Sequence, residues 1–311
     1  MKEFELIESL RPLLHTNPQT LVGAGDDCAV LDVGIPDRLL LFKTDAVVEN
    51  VHFTRDAGWE RIGRKAISRC LSDIAAMAGV PISALVTLGL PLYFEPDKVK
   101  KIYVGLNERA AEFDVSISGG ETVKSEKGVF LSISMLGWIP RNRLLLRSNM
   151  QVHDAVFVTG ELGGSLKEKH LDFSPRIKEA QWLAENFEIH ALMDVSDGLA
   201  GDLRRLMDAS EKGVQLLAEA IPVSRRAKEA AREEGGGGSA LTRALSDGED
   251  FELLFTVSAS IAVELLDKWK IHFPQLNLSC IGKVIPEKVI KLFSRKMGLT
   301  NLDCHGYDHF Q

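Results

Sequence analysis

Residues 59–79 read WERIGRKAISRCLSDIAAMAG, and the place of Asp73 in that stretch decides how the chain is read. Ile62, Ala66, Cys70, Ile74 and Met77 recur at helical spacing, which predicts a helix over 59–78 with Gly79 near its end. At about 100° per residue, Asp73 falls between Ile62 and Ala66, inside the apolar arc rather than on the wet face. A carboxylate is costly to bury unless it is paired, hydrogen-bonded or bound to a metal. Two readings stand: a buried Asp that accepts hydrogen bonds from nearby backbone, or a metal ligand projecting from the helix.

Working outward, acidic residues recur in short clusters beside apolar stretches: Gly25-Asp26-Asp27, Lys43-Thr44-Asp45, Leu71-Ser72-Asp73, Asp194-Val195-Ser196-Asp197-Gly198 and Asp247-Gly248-Glu249-Asp250. Each has a plain alternative. Asp after Gly is ordinary turn chemistry. Asp45 is read as standing at the end of the apolar strand 39–42, where turn formation would also account for it. Asp194, Ser196 and Asp197 lie between a strand at 190–195 and a helix opening near 199. Ser196 is a candidate for capping that helix or for contacting phosphate at its N-terminus. Repetition is the stronger argument. Hard oxygen ligands gathered from several strand ends suit magnesium, which usually arrives with a phosphate.

The bulk numbers agree with a nucleotide-using globular protein. At 311 residues, two domains are the natural expectation. A net charge of −7 leaves no basic footprint, so nucleic acid is excluded as an expected partner. An acidic protein that binds anionic nucleotides needs intervening cations. The N-terminus has no signal-like apolar core, and the longest apolar stretch, 84–92, is interrupted and too short to span a bilayer. Cys28, Cys70, Cys280 and Cys304 show no metal spacing and read as reduced thiols of a cytoplasmic protein.

Strands and helices alternate in both halves, so the class is α/β or α+β. Helices are expected at 4–14, 59–78, 97–113, 175–187 and 199–211. Strands are expected at 29–31, 39–42, 85–90, 115–118, 129–136, 155–159, 190–195, 214–217, 251–257 and 278–284. Residues 119–128 read as a loop and 233–239, with four consecutive glycines, as a flexible one. The turn-rich connector 137–154 carries the boundary between domains 1–140 and 141–311. Ser118-Gly119-Gly120-Glu121-Thr122 and Thr159-Gly160-Glu161-Leu162-Gly163-Gly164-Ser165 read as Gly-rich turns able to bring backbone N–H groups to phosphate. Neither is a P-loop. Arg147 is a candidate phosphate clamp, with a surface arginine as the plain alternative. His52 is read as a substrate contact, because no second histidine stands at metal spacing.

Taken together and in order, the motifs at 23–31, 44–53, 71–79, 119–122, 194–199, 248–256 and 306–310 resemble the thiamine-monophosphate kinase family. That family belongs to the superfamily of aminoimidazole ribonucleotide synthetase. The resemblance implies a two-domain α/β fold: an N-terminal ATP- and metal-binding domain that forms a β-barrel across a homodimer, and a C-terminal α/β sandwich that completes the active site. It implies ATP-dependent phosphorylation of thiamine monophosphate to thiamine diphosphate, with several Mg2+ ions. Asp27, Thr44, Asp45, Asp73, Asp194 and Asp197 would hold magnesium, and Glu121 stands where the family usually has Asp or Asn. Tyr103, Gly120, Arg147 and Ser196 would contact ATP. His52, Glu249 and Tyr307 would meet the thiamine phosphate.

No covalent or strong-base catalytic residue is expected, because the acceptor is an anionic phosphate oxygen. Three departures mark this chain: Lys43 replaces a small hydroxyl residue, Glu121 is a methylene longer than Asp, and 160–175 is short and carries Lys167, Lys169 and His170. Two other activities are consistent with the motifs. One is a superfamily member that closes a purine ring, and the other is a nucleotide-binding protein without catalysis.

Overall fold

The computed structural model describes residues 3–233, 239–302 and 306–307. The glycine loop 234–238, Cys304 and the motif residues 308–310 lie outside them. The chain forms two compact units, one of Pro18–Leu144 with Leu171–Ile177, the other comprising the rest. After α1 (Glu3–Leu10), a single short turn replaces the predicted helix end, since Pro12 cannot continue it.

The first unit holds β1 (Thr20–Val22), β2 (Ala29–Leu31), β3 (Arg38–Val48), α2 (Trp59–Ala76), β4 (Val80–Leu90), α3 (Pro96–Glu112), β5 (Ser116–Lys124) and β6 (Phe130–Pro140). Its sheet runs β1-β2-β3-β6-β4-β5 and is mixed: only β4 and β5 pair in parallel. Within one chain this sheet is open, with β1 and β5 at its edges.

The predicted helix α2 forms because its apolar arc has a surface to bury. Ile62, Ile67, Cys70, Leu71 and Ile74 are wholly enclosed, each large aliphatic contributing about 1.5–3 kcal/mol. Glycines let α2 and α3 touch backbone to backbone. A Cβ on Gly105 would lie 1.7 Å from the Glu60 carbonyl oxygen, and one on Gly63 would lie 2.1 Å from that of Ile102. At the C-terminus Ala78, not Gly79, takes the left-handed conformation (φ 56°). Gly79 is needed for space, because its Cβ would meet Leu41 Cδ1 at 2.4 Å.

Two predicted boundaries are corrected here. β3 runs eleven residues through Lys43, Thr44 and Asp45 and pairs with β6 over its whole length, so Asp45 lies inside a strand rather than at its end. The expected loop 119–128 is largely strand: β5 carries Gly119-Gly120-Glu121-Thr122 beside β4. Gly120 serves close approach, since a Cβ there would lie 1.8 Å from the Val86 carbonyl oxygen.

In the second unit a seven-stranded sheet runs β13-β12-β9-β11-β7-β10-β8. Its strands are β7 (Ala155–Thr159), β8 (Ile189–Asp194), β9 (Gly213–Leu217), β10 (Leu253–Val257), β11 (Leu278–Ile285), β12 (Ile290–Ser294) and β13 (Gly298–Asn301). The helices from here are α4 (Lys169–Asp172), α5 (Ile177–Asn186), α6 (Leu199–Ser210), α7 (Arg225–Glu233), α8 (Ala240–Ser246) and α9 (Ala262–His272). The central strands β7 and β10 are buried at every position, as helices on both faces require. On one face Leu199, Leu203 and Leu206 of α6 pack with Val156, Val158, Met193 and Leu254. The other direction of alternation stacks Phe157 on Phe255 at 5.5 Å between ring centroids. Helices α7, α8 and α9 and strands β12 and β13 were not predicted. No helix among the described residues is long and apolar enough to cross a membrane.

Candidate active site

In the first unit, β3 and α2 bring acidic side chains to the helix-covered side of the sheet. Asp27 follows the left-handed Gly25 (φ 132°) and enters β2 buried, its N–H donating to Asp26 Oδ1 at 2.9 Å. Asp73 is buried on α2, so the apolar-arc reading of its position holds. Oxygens of Asp27 and Asp73 come within 4.8 Å of each other. Two buried anions that close repel strongly and call for a cation.

One cation comes from the chain itself. Lys43 Nζ lies 2.9 Å from Asp73 Oδ1, with little of either side chain exposed. Burial opposes charge on Lys43, but Asp73 and Asp45 outweigh it and raise the ammonium well above its ordinary range. Asp45 is tied to α2 through a forked pair, Arg69 Nε to Oδ2 at 3.0 Å and Nη2 to Oδ1 at 3.2 Å, and it also accepts the Ala46 N–H at 2.7 Å. Burial resists its ionisation, and the charges of Arg69 and Lys43 overcome that and hold its carboxyl below the usual range. Cys28 and Cys70 sit beneath these groups; burial first, and neighbouring aspartates next, push both thiols up, so they remain protonated.

Other predicted residues of this unit lie elsewhere. Side chains alternate along a strand, so Thr44 faces the opposite side of the sheet from Asp45, near Ser132 and Ser134 (3.4 and 3.3 Å between hydroxyl oxygens). Glu121 pairs in register with Thr87 on that same open face, and its carboxylate accepts its neighbour Thr122's N–H at 2.8 Å. Tyr103 is half-buried on α3. His52 turns back on β3: its Nδ1 accepts the Val48 N–H at 3.1 Å, which fixes the neutral ring with its proton on Nε2. The fully buried Lys65 donates to the His52 carbonyl at 2.6 Å and holds that turn from α2.

In the second unit, Asp194 ends β8, buried, and Asp197 follows three residues later. Ser196 does not cap α6. Gly198 occupies that position, and the Ser196 carbonyl instead accepts the Glu249 N–H at 2.6 Å. Arg205 bridges Asp197 and Asp202, donating to Asp202 Oδ1 at 2.7 Å, while Asp202 Oδ2 accepts the Asp197 N–H at 3.0 Å. Asp202 is wholly enclosed; burial pushes its carboxyl well up, against the pull of Arg205. Sequence reading missed Asp202, although its place in the first turn of the helix after Asp197 was a signal. Arg147 is near enough for its charge to act on Arg205. Tyr307 is joined to the same turn, its N–H donating to the Asp197 carbonyl at 2.9 Å.

The second Gly-rich turn does not offer its N–H groups to phosphate. Gly163 N–H donates to both oxygens of Asp250 (3.0 and 2.9 Å) and Gly164 N–H to Asp247 Oδ2 at 2.9 Å. Asp250 also accepts from Ser165 Oγ. Burial foremost raises its carboxyl to about 7. Glu252 is buried too, accepting from Thr159 Oγ1 and pairing with Lys169 Nζ, each at 2.8 Å. Glu249 faces His170 Nδ1 at 2.9 Å. Residues 163–170 are thus anchored by the acids of 247–252.

The fold and these carboxylate sets define a class. Residues 25–139 match the N-terminal domain, and residues 151–293 the C-terminal domain, of the AIR synthase related proteins, a two-domain α/β fold with mixed sheets. Within that class, a thiamine-monophosphate kinase of Rhodopirellula baltica is 39% identical over 292 residues, 91% of this chain and 89% of its own. The Bacillus subtilis thiamine-monophosphate kinase is 30% identical across 100% of both chains. The solved structure of AaThiL complexed with AMPPCP and TMP superposes with a TM-score of 0.82 at 29% identity, over 99% of this chain and 97% of that one. The chain belongs to the thiamine-monophosphate kinase family and is a kinase.

Proposed function

We propose that this kinase transfers the terminal phosphate of ATP to thiamine monophosphate, giving thiamine diphosphate by direct in-line displacement. The observation that carries this reading is the Asp27–Asp73 pair: two buried carboxylates with oxygens within 4.8 Å, a bite that suits a hard cation. The similarity to AaThiL, which is complexed with AMPPCP and TMP, supports the substrate pair. Bound Mg2+ would neutralise phosphate charge and polarise the transferred group. Asp27, Asp45, Asp73, Asp194 and Asp197 are the residues assigned to hold it; Thr44 and Glu121, also assigned to Mg2+, face the other side of the sheet and would reach only a separate ion.

Arg147, Ser196, Gly120 and Tyr103 are assigned to ATP; His52, Glu249 and Tyr307 to the thiamine phosphate. The acceptor oxygen is anionic near neutral pH, so no side chain need remove a proton from it. This chain's work is to align the two anions and screen their repulsion. The His52 ring, fixed by its bond from Val48 N–H, offers an Nε2–H donor to an anionic substrate.

The same reading assigns 1–140 to ATP, metal and dimerisation and 141–311 to completing the active site, in a cytoplasmic homodimer. Phe42, Leu85, Val123 and Leu136 are exposed on the open face of the first sheet. An apolar row of that kind supports pairing with the same face of a second copy to close a barrel. The experiment is a magnesium-dependent assay for thiamine diphosphate, run in parallel with formylglycinamidine ribonucleotide as acceptor. Product only from thiamine monophosphate is expected. ATP turnover only with the ribonucleotide, or ATP binding with no turnover, would replace the reading with one of the two alternatives. The Lys43–Asp73 pair is the observation that favours the non-catalytic alternative.

A further inference from the structure

Lys43 departs from the chemistry of its own strand. Along β3 the buried positions Leu39, Leu41 and Val47 are apolar, and Lys43 has the same inward parity. An apolar residue would pack there without the desolvation an ammonium suffers. A buried ion pair is no bargain for stability, since apolar replacement is often neutral or stabilising. Something other than packing accounts for a cation at this point.

The surroundings show what it does. Its Nζ is 2.9 Å from Asp73 Oδ1. An Asp27 oxygen lies within 4.8 Å of an Asp73 oxygen, and Asp45 is close enough to act on the Lys43 charge. Asp45 has its own counter-ion in Arg69, which fills both oxygens. The ammonium therefore stands between two carboxylates, in contact with Asp73 and within reach of the charge of Asp45, while Asp27 lies beside Asp73. Lysine suits the place, being a compact point charge with three donors that serve carboxylate and phosphate oxygens alike.

We propose that the Lys43 ammonium is a built-in cation that takes one divalent-ion position at Asp73, so that the enzyme works with one metal ion fewer than its carboxylates would otherwise hold. The inference rests on the kinase reading for its nucleotide, but the count it makes is independent of turnover.

The test is to count Mn2+ bound per chain, by the electron paramagnetic resonance signal of the free ion, with AMPPCP present. Wild type is compared with Lys43→Thr and Lys43→Gln. The second variant keeps most of the length and an N–H donor for Asp73 while removing the charge, so it serves if the first does not fold. Both are expected to bind one more Mn2+ than wild type. Equal counts overturn the proposal, because the ammonium would then simply move aside. So does an equal count with AMPPCP binding weakened tenfold or more, which would make Lys43 a phosphate clamp. Wild-type thiamine diphosphate formation is measured in the same preparation. A changed count without product leaves the Lys43 assignment standing and removes the kinase reading; product with an unchanged count does the reverse.

Discussion

The two units solve one electrostatic problem in opposite ways. In the first, the cations come from apolar elements. Lys43 on β3 and Arg69 on α2 reach across to Asp73 and Asp45, and each aspartate keeps a partly exposed side chain. In the second, one cation serves two acids of unequal standing. Arg205 joins Asp197, which is partly exposed, to Asp202, which is sealed. Much farther along the chain, Asp250 and Glu252 spend their oxygens on the chain's own N–H, hydroxyl and ammonium groups. The lesson is that acidic residues in this molecule divide by what their oxygens already hold. Asp202, Asp250 and Glu252 are fully engaged by the fold, whereas Asp73, Asp45 and Asp197 are held by Lys43, Arg69 and Arg205, side chains able to give way to a ligand.

The largest effect should come from that division. Asp73→Asn keeps the shape of the side chain and removes its charge. Steady-state assays on the folded variant should show kcat reduced at least about 100-fold, beyond the usual loss from an outer-shell partner. Asp197→Asn should behave similarly. Near-wild-type turnover in either folded variant would show that the aspartates with yielding partners are as structural as the others.

Asp202→Ala should show the contrary pattern. It leaves Arg205 half-paired and the Asp197 N–H unsatisfied in a sealed site, and breaking a buried pair from one side typically costs about 3 kcal/mol or more. Denaturant unfolding should register that loss directly. A variant as stable as wild type but inactive would move Asp202 from the structural group to the ligands.

How much of this was legible beforehand follows the same physics. Asp73 could be placed because helical periodicity is long and regular, and a carboxylate inside an apolar arc is conspicuous. Asp45 was misplaced because Lys43 and Thr44 broke an apolar run, which reads as a strand ending. The strand continues because pairing with β6 needs only backbone, and Asp73 and Arg69 neutralise the polar side chains. β5 was cut short at 118 for a related reason. It is an edge strand with one neighbour and exposed residues, so composition speaks of a loop. α7 buries only Ala227 and Ala230 among charged residues, too little apolar pattern to register. The structural acids Asp250 and Glu252 had no distinguishing sequence mark, because what separates them from ligands is the identity of distant donors such as Gly163, Ser165 and Lys169.

The smallest predicted effect tests the most fully engaged of these acids. Asp250 is enclosed by Gly163, Ser165, Lys169 and Glu252, and burial raises its carboxyl to about 7. Unfolded, the same group releases its proton near pH 4. Between those values the folded chain keeps a proton that the unfolded chain has lost, so the Asp250 contribution to stability is complete at the acid end and declines as pH rises toward 7. Over pH 5 to 8 the decline should be on the order of 2 kcal/mol, part of it offset by the positive charge of Lys169. Asp250→Asn cannot titrate and keeps one oxygen for the Gly163 N–H. Its unfolding midpoint should therefore fall less than that of wild type across the same interval. Parallel profiles for the two proteins would mean that Asp250 is already ionised in the fold. The pairing of Lys169 with the 247–252 acids would then govern the anchoring of residues 163–170, in the manner of Lys43 with Asp73 in the first unit.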